Sequence, residues 1–154
     1  MILQLKIFII ACCLYFWTCE DMFPKCDVEI LGECYSVERT TSIDLSSKEL
    51  THIPEKIFQL KNLTSLSLAN NKLVEIPIEI SYLYKLKFLY LNDNQITNMH
   101  YELSRLTELE FLNLSNNDIN EVINDSICNL IENNCRINFN NNLLKPPLPS
   151  CFNE

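Results

Sequence analysis

The sequence predicts an α/β solenoid of about five stacked coils, each a short strand, a turn and a short helical or 3-10 return. Three observations point there. Ile43, Leu66, Leu89 and Leu112 recur every 23 residues, and Ile137 follows 25 residues after Leu112. Around each, the chain alternates apolar and polar in SIDLSSKEL, SLSLANNKL, FLYLNDNQI, FLNLSNNDI and RINFNNNLL, the period of a strand with one buried face. Asn71, Asn94, Asn117 and Asn142 then recur at the turn that follows the strand.

Ahead of the repeats, Ile7 to Trp17 is an uncharged apolar run, with Lys6 before it and Glu20-Asp21 after it. A membrane-spanning helix needs roughly 20 apolar residues, so no stable membrane insertion is expected. The run suits the apolar core of a secretory signal peptide. Cleavage after Cys13 places small Ala11 and Cys13 at the favoured positions, whereas cleavage after Thr18 or Cys19 places Phe16 or Trp17 there. A buried strand or an uncleaved anchor is the bland alternative. Export agrees with eight cysteines, because disulfides persist in oxidising compartments. Residues 19–39, with Cys26 and Cys34, are then expected to cap the first coil as a hairpin pinned by a bond between those two cysteines.

Within the repeats the return segments keep step. Ile53, Ile57, Leu60 and Leu63 follow Leu50; Ile76, Ile80, Leu83 and Leu86 follow Leu73; Met99, Leu103, Leu106 and Leu109 follow Ile96. Spacings of three and four place these side chains on one face of a short helical segment. One such coil buries too little to order itself, so coils must stack and share ladder hydrogen bonds. A primary amide carries donors and an acceptor, so a buried asparagine column satisfies backbone groups the turn leaves unpaired. In the first coil Lys48 stands in that column, where its long stem reaches solvent.

The pattern L-x-x-L-x-L-x-x-N-x-L in residues 63–73, 86–96 and 109–119 resembles the leucine-rich-repeat family. The 23-residue length and the pairs Ile53-Pro54 and Ile76-Pro77 are similar to the subclass found in Ras-pathway scaffold proteins and plant relatives. The resemblance covers residues 40–145 or so. It implies a right-handed coil with a parallel sheet on the concave side, a surface that commonly binds other proteins.

After Ile119 the pattern departs. The ladder shifts around Ser126 and Ile127, Cys128 and Cys135 fall in the altered stretch, and Lys145-Pro146-Pro147-Leu148-Pro149 continues neither strand nor helix. These features predict a C-terminal cap in which two of Cys128, Cys135 and Cys151 are bonded, with the pair left open. The organisation expected is a signal peptide over 1–18, an N-terminal cap over 19–39, leucine-rich repeats over 40–134, and a last partial repeat with its cap over 135–154.

The outward strand positions form two columns: Ser42, Ser65, Phe88, Phe111 and Arg136, and beside it Asp44, Ser67, Tyr90, Asn113 and Asn138. Phe88, Tyr90 and Phe111 make an aromatic cluster flanked by Lys87 and Glu110. Aromatics dominate binding hot spots, although cross-strand packing also favours them. Asn62, Asn113 and Asn124 each begin an N-x-S/T sequon, and a sugar on Asn113 would cover part of the concave face.

Other chemistries have little footing. A single glycine, Gly32, all but excludes glycine-rich phosphate loops, and a net charge of −8 argues against nucleic acid and anionic membranes. No C-x-x-C pair occurs, so neither a metal site nor a cofactor is expected. His52 and His100 lie apart on the return side, and no Ser/His/Asp set shares a face, so no catalytic residue is nominated and no enzyme is expected. The leading functional expectation is a secreted recognition module that binds a protein, or a glycan, through Phe88, Tyr90 and Phe111. The alternatives are a self-associating extracellular coat or matrix component, and an intracellular scaffold if the N-terminus is not a signal.

Overall fold

The computed structural model describes residues 26–120 and 125–152; the expected signal segment, Cys19 and Asn124 lie outside them. The first element is an antiparallel hairpin of β1 (Val28–Ile30) and β2 (Glu33–Tyr35). Its turn places Leu31 and Gly32 at φ of 52° and 84°. Two successive left-handed residues match the right-handed strand twist, and this is where the sole glycine sits. Val28 and Ile30 are buried, facing the solenoid core. A Cys26–Cys34 disulfide closes the hairpin across a Cα–Cα distance of 5.1 Å.

Five strands follow, each three residues long: β3 (Ser42–Asp44), β4 (Ser65–Ser67), β5 (Phe88–Tyr90), β6 (Phe111–Asn113) and β7 (Arg136–Asn138). They form one parallel sheet in sequence order, on the concave side of a right-handed solenoid. Ile43, Leu66, Leu89, Leu112 and Ile137 pair in a single row, so the two extra residues before Ile137 do not disturb the register. They are absorbed on the return side instead. There the first three returns are 3-10 turns at Glu55–Gln59, Ile78–Tyr82 and Tyr101–Arg105. The fourth is a shorter 3-10 turn, Asp125–Ile127, running into the helix α1 (Cys128–Glu132).

The 3-10 form has a local cause. Pro54 and Pro77 precede the first two turns with φ of −59° and −70°, and His100 adopts −73° in the third. That backbone is preset for tight i to i+3 bonds, seen from Ile57 N–H to the Pro54 carbonyl and from Leu60 N–H to the Ile57 carbonyl, both 3.0 Å. The core between sheet and returns is almost wholly Leu and Ile, and Leu66, Leu89 and Leu112 are fully buried.

The asparagine column works as a set of repeated brackets. Asn94 Oδ1 accepts from the Leu73 N–H at 3.0 Å, while its Nδ2 donates to the carbonyls of Leu68 and Leu91, each at 3.0 Å. Asn71 one coil before, and Asn117 and Asn142 one and two coils after, repeat the pattern. Each amide therefore ties its own turn to the previous strand and to the previous turn. Asn71 also accepts from the N–H of Lys48, so the lysine's backbone is held where its side chain is exposed.

A second column explains the surplus of asparagine over glycine. Ser47, Asn70, Asp93, Asn116 and Asn141 all adopt φ between 54° and 57°. Asn and Asp tolerate this region better than most residues, and here their side chains also link coils. Asn116 Nδ2 donates to Asp93 Oδ1 at 2.7 Å, and Asn141 Nδ2 donates to Asn116 Oδ1 at 2.7 Å. Glycine would supply the conformation without the link.

At the far end a Cys128–Cys151 disulfide ties α1 to the short 3-10 turn Ser150–Phe152, with Cα atoms 5.7 Å apart. Cys135, the third cysteine of that group, remains a buried thiol. Burial pushes its pKa up to about 11, against a partial offset from a backbone hydrogen bond at Leu112.

Candidate partner-binding face

Parallel register brings the nominated side chains together because residues one repeat apart become lateral neighbours. Phe88 lies opposite Phe111, and Tyr90 opposite Asn113. The ring contact is diagonal: Tyr90 and Phe111 meet edge to face, with centroids 5.7 Å apart and planes at 61°. The next strand adds a cation, since the Arg136 guanidinium sits 5.7 Å from the Phe111 ring centre. All three aromatics are half-buried. Part of each ring is held by its neighbours and part is open to solvent, so cross-strand packing and contact with a partner both remain available to them.

The surroundings are polar and ordered. Lys87 Nζ pairs with Glu110 Oε1 at 2.8 Å beside the aromatics, and the hydrogen bond to Glu110 raises the lysine pKa. Asn113 is half-buried with its amide engaged: Nδ2 donates to Asn92 Oδ1 at 3.2 Å, and Oδ1 accepts from the Ser115 hydroxyl at 2.8 Å. Asn62, the first sequon residue, precedes β4 and lies outside the strand. It donates to the Glu38 carbonyl at 3.1 Å and accepts from Lys85 Nζ at 2.8 Å, which ties cap, first coil and second coil together.

The face is also polarised along its length. At the first strand, hydrogen bonds from the Ser46 hydroxyl and N–H hold the Asp44 carboxyl below the usual range, so it stays ionised. At the fifth strand, the exposed Arg136 supplies a fixed positive charge. With strands about 4.8 Å apart, the two ends are separated by roughly 19 Å, with the aromatic patch between them. Sequence reasoning had found the columns but not this stacking of Arg136 on Phe111, because a cation–π contact depends on rotamers rather than spacing.

Among the described residues no group of three His, Cys, Asp or Glu side chains converges to hold a metal ion, and no helix is long and apolar enough to cross a membrane.

Residues 38–96 match the model of a family described as leucine rich repeat, and residues 108–130 match a second leucine-rich-repeat model. No curated protein matches the sequence. Solved structures do. A leucine-rich-repeat protein of Leptospira interrogans shares 30% identity at a TM-score of 0.59, over 75% of this chain and 34% of its own. The BIR2 ectodomain from Arabidopsis thaliana shares 25% identity at a TM-score of 0.60, over 66% of this chain and 54% of its own. The plant peptide hormone receptor RGFR1 in complex with RGF2 shares 34% identity at a TM-score of 0.54, over 60% of this chain and 15% of its own. The chain thus spans about a third of the first of these relatives and about half of the second. With the repeat period, the in-register parallel sheet, the asparagine column and both family models in agreement, the chain belongs to the leucine-rich-repeat family.

Proposed function

We propose that this protein is a secreted recognition module that binds a protein partner through its concave sheet, with Phe88, Tyr90 and Phe111 as the contact centre. One observation carries the reading. The three aromatics, with Arg136 stacked on Phe111, form an apolar and cationic patch on a face whose remaining strand positions are Ser, Asp and Asn. Half-buried rings held by their neighbours lose little freedom on docking, which favours affinity from a small surface. The likeness to plant receptor ectodomains, one of them in complex with RGF2, supports a peptide or protein as partner over a small molecule.

Export is part of the same proposal, with residues 1–18 as the signal. The two disulfides support an oxidising compartment and count against the intracellular scaffold. Cys135 is only 5% exposed, so it is poorly placed to join copies covalently in a coat. Expression in a secretory cell, followed by mass spectrometry of the medium, tests export, the mature N-terminus and the use of Asn62, Asn113 and Asn124 together. The recognition claim is tested by photo-crosslinking from a probe at position 67, which pairs with Tyr90 one coil back, on intact cells that bind the secreted protein. A specific adduct lost in a Phe88→Ala, Tyr90→Ala, Phe111→Ala variant of unchanged fold supports the site. Undiminished binding by that variant would move the contact off the concave sheet.

A further inference from the structure

The return side of the first two coils holds a groove of about 580 Å³ that the repeat architecture does not require. Most of its wall surface is apolar, with His52 and Gln59 adding polar groups. Phe58 comes from the first return and is buried to 8% exposure, while Pro77 and Tyr82 come from the second, Tyr82 being 56% exposed. One repeat on from Phe58 the equivalent position is Ser81, whose hydroxyl turns back to the Ile78 carbonyl at 2.8 Å. At that position the second return carries no ring, and its next residue, Tyr82, lines the groove instead.

The rim carries one sign of charge. Glu55, Glu75 and Glu79 line the groove, and neither a lysine nor an arginine does. The ion pairs Lys72–Glu49 and Lys87–Glu110 leave these three carboxylates out. They also do not converge on a point where a metal ion could sit. A diffuse negative field over aromatic and proline surface is complementary to an extended organic cation. A guanidinium disperses its charge over a plane, stacks on aromatic rings and is weakly hydrated, and its aliphatic stem covers apolar surface.

We infer that this groove docks a basic segment of a protein partner, with one arginine side chain lying along Phe58 and Tyr82 and its head among Glu55, Glu75 and Glu79. The surface lies on the return side, away from the concave sheet, so it stands or falls independently of the aromatic face. A chain carrying net charge −8 also draws basic partners toward it from a distance.

The test is a titration of the ¹⁵N-labelled, disulfide-bonded chain with the peptide acetyl-Gly-Leu-Arg-Leu-Gly-amide, followed by NMR. A citrulline counterpart serves as the neutral isostere. The arginine peptide should shift amides within 52–59 and 75–82, and the citrulline peptide should bind about ten-fold more weakly. Glu75→Gln with Glu79→Gln should weaken the arginine peptide about three- to five-fold, and Tyr82→Ala should weaken both peptides. All three positions are on the surface, so the rest of the spectrum reports directly whether the variants remain folded. Equal shifts from the two peptides would show an apolar cleft without charge selection and overturn the inference. Shifts centred on Phe88, Tyr90 and Phe111, or none at millimolar peptide, would overturn it equally.

Discussion

The third and fourth coils and the last one are built from the same pattern, yet they are packed differently. In the middle, Leu89, Leu91, Leu112 and Leu114 are fully buried, whereas their counterparts Ile137 and Phe139 in the last coil are only partly so. Asn94 and Asn117 are buried and Asn142 is half-buried, although its amide makes the same bonds. The difference teaches that a ladder residue is a core residue only when a coil or a cap covers each side of it, as the hairpin does for Ile43 and Leu45 in the first coil. The last coil has one such neighbour, and after it the chain makes only the Ser150–Phe152 turn, which the Cys128–Cys151 bond ties back to α1 of the fourth return. Burial in a solenoid is thus a property of stacking position more than of residue type.

The contrast is open to direct attack. Truncating the central ladder, Leu89→Ala, should cost roughly 3–5 kcal/mol in urea unfolding, while Ile137→Ala should cost less than about 2. Equal losses would mean that the last coil is as well enclosed as the middle. Serine at both Cys128 and Cys151 should cost about 3 kcal/mol, since the bond closes a 23-residue separation. A loss near zero would show that α1 holds the end without it.

Asn94→Ala leaves the Leu73 N–H and the Leu68 and Leu91 carbonyls without their partner, at a cost of about 2–3 kcal/mol. The corresponding loss for Asn142→Ala should be about 1 kcal/mol, because solvent reaches that turn.

Cys135 sharpens the comparison by pH. Its folded pKa is raised by burial to about 11, from an ordinary value of 9.0. The thiol therefore contributes stability that is complete below pH 9 and is lost as pH climbs toward 11. Thermal melts across that window should fall more steeply for the native protein than for Cys135→Ala; parallel curves would show that the site admits water. The smallest effect is expected at Lys87–Glu110, where Lys87→Ala should leave stability nearly unchanged, any difference vanishing in high salt.

Much of the fold was legible because stacking converts spacing into contact. Residues separated by one period become lateral neighbours, so the columns Ser42 to Arg136 and Asp44 to Asn138 could be written down before any coordinate existed. The asparagine column was legible for the same reason, since a primary amide can accept one bond and donate two at that turn, as Asn94 does. The partner of Cys128 was not legible. Cys135 and Cys151 lie 7 and 23 residues away in the chain, and either distance suits a bond; the fold of α1 against the Ser150–Phe152 turn selects Cys151 and leaves Cys135 in the core. The groove beside Phe58 was equally hidden, because the residues that line it come together only when adjacent returns pack. Pattern reading looks for what repeats, and Phe58, with Ser81 one period on, does not repeat.

Period and alternation in the sequence were enough to specify the solenoid, its register and the inward or outward sense of each strand residue, because those follow from backbone geometry that every coil shares. The depth of burial, the cysteine pairing, the contact of Tyr90 and Arg136 with Phe111, and the acidic groove required the folded chain. Each depends on rotamers, on the volume a neighbouring coil leaves free, or on how a chain end folds back. Side-chain identity alone constrains none of these, because they are set by what has already packed around it.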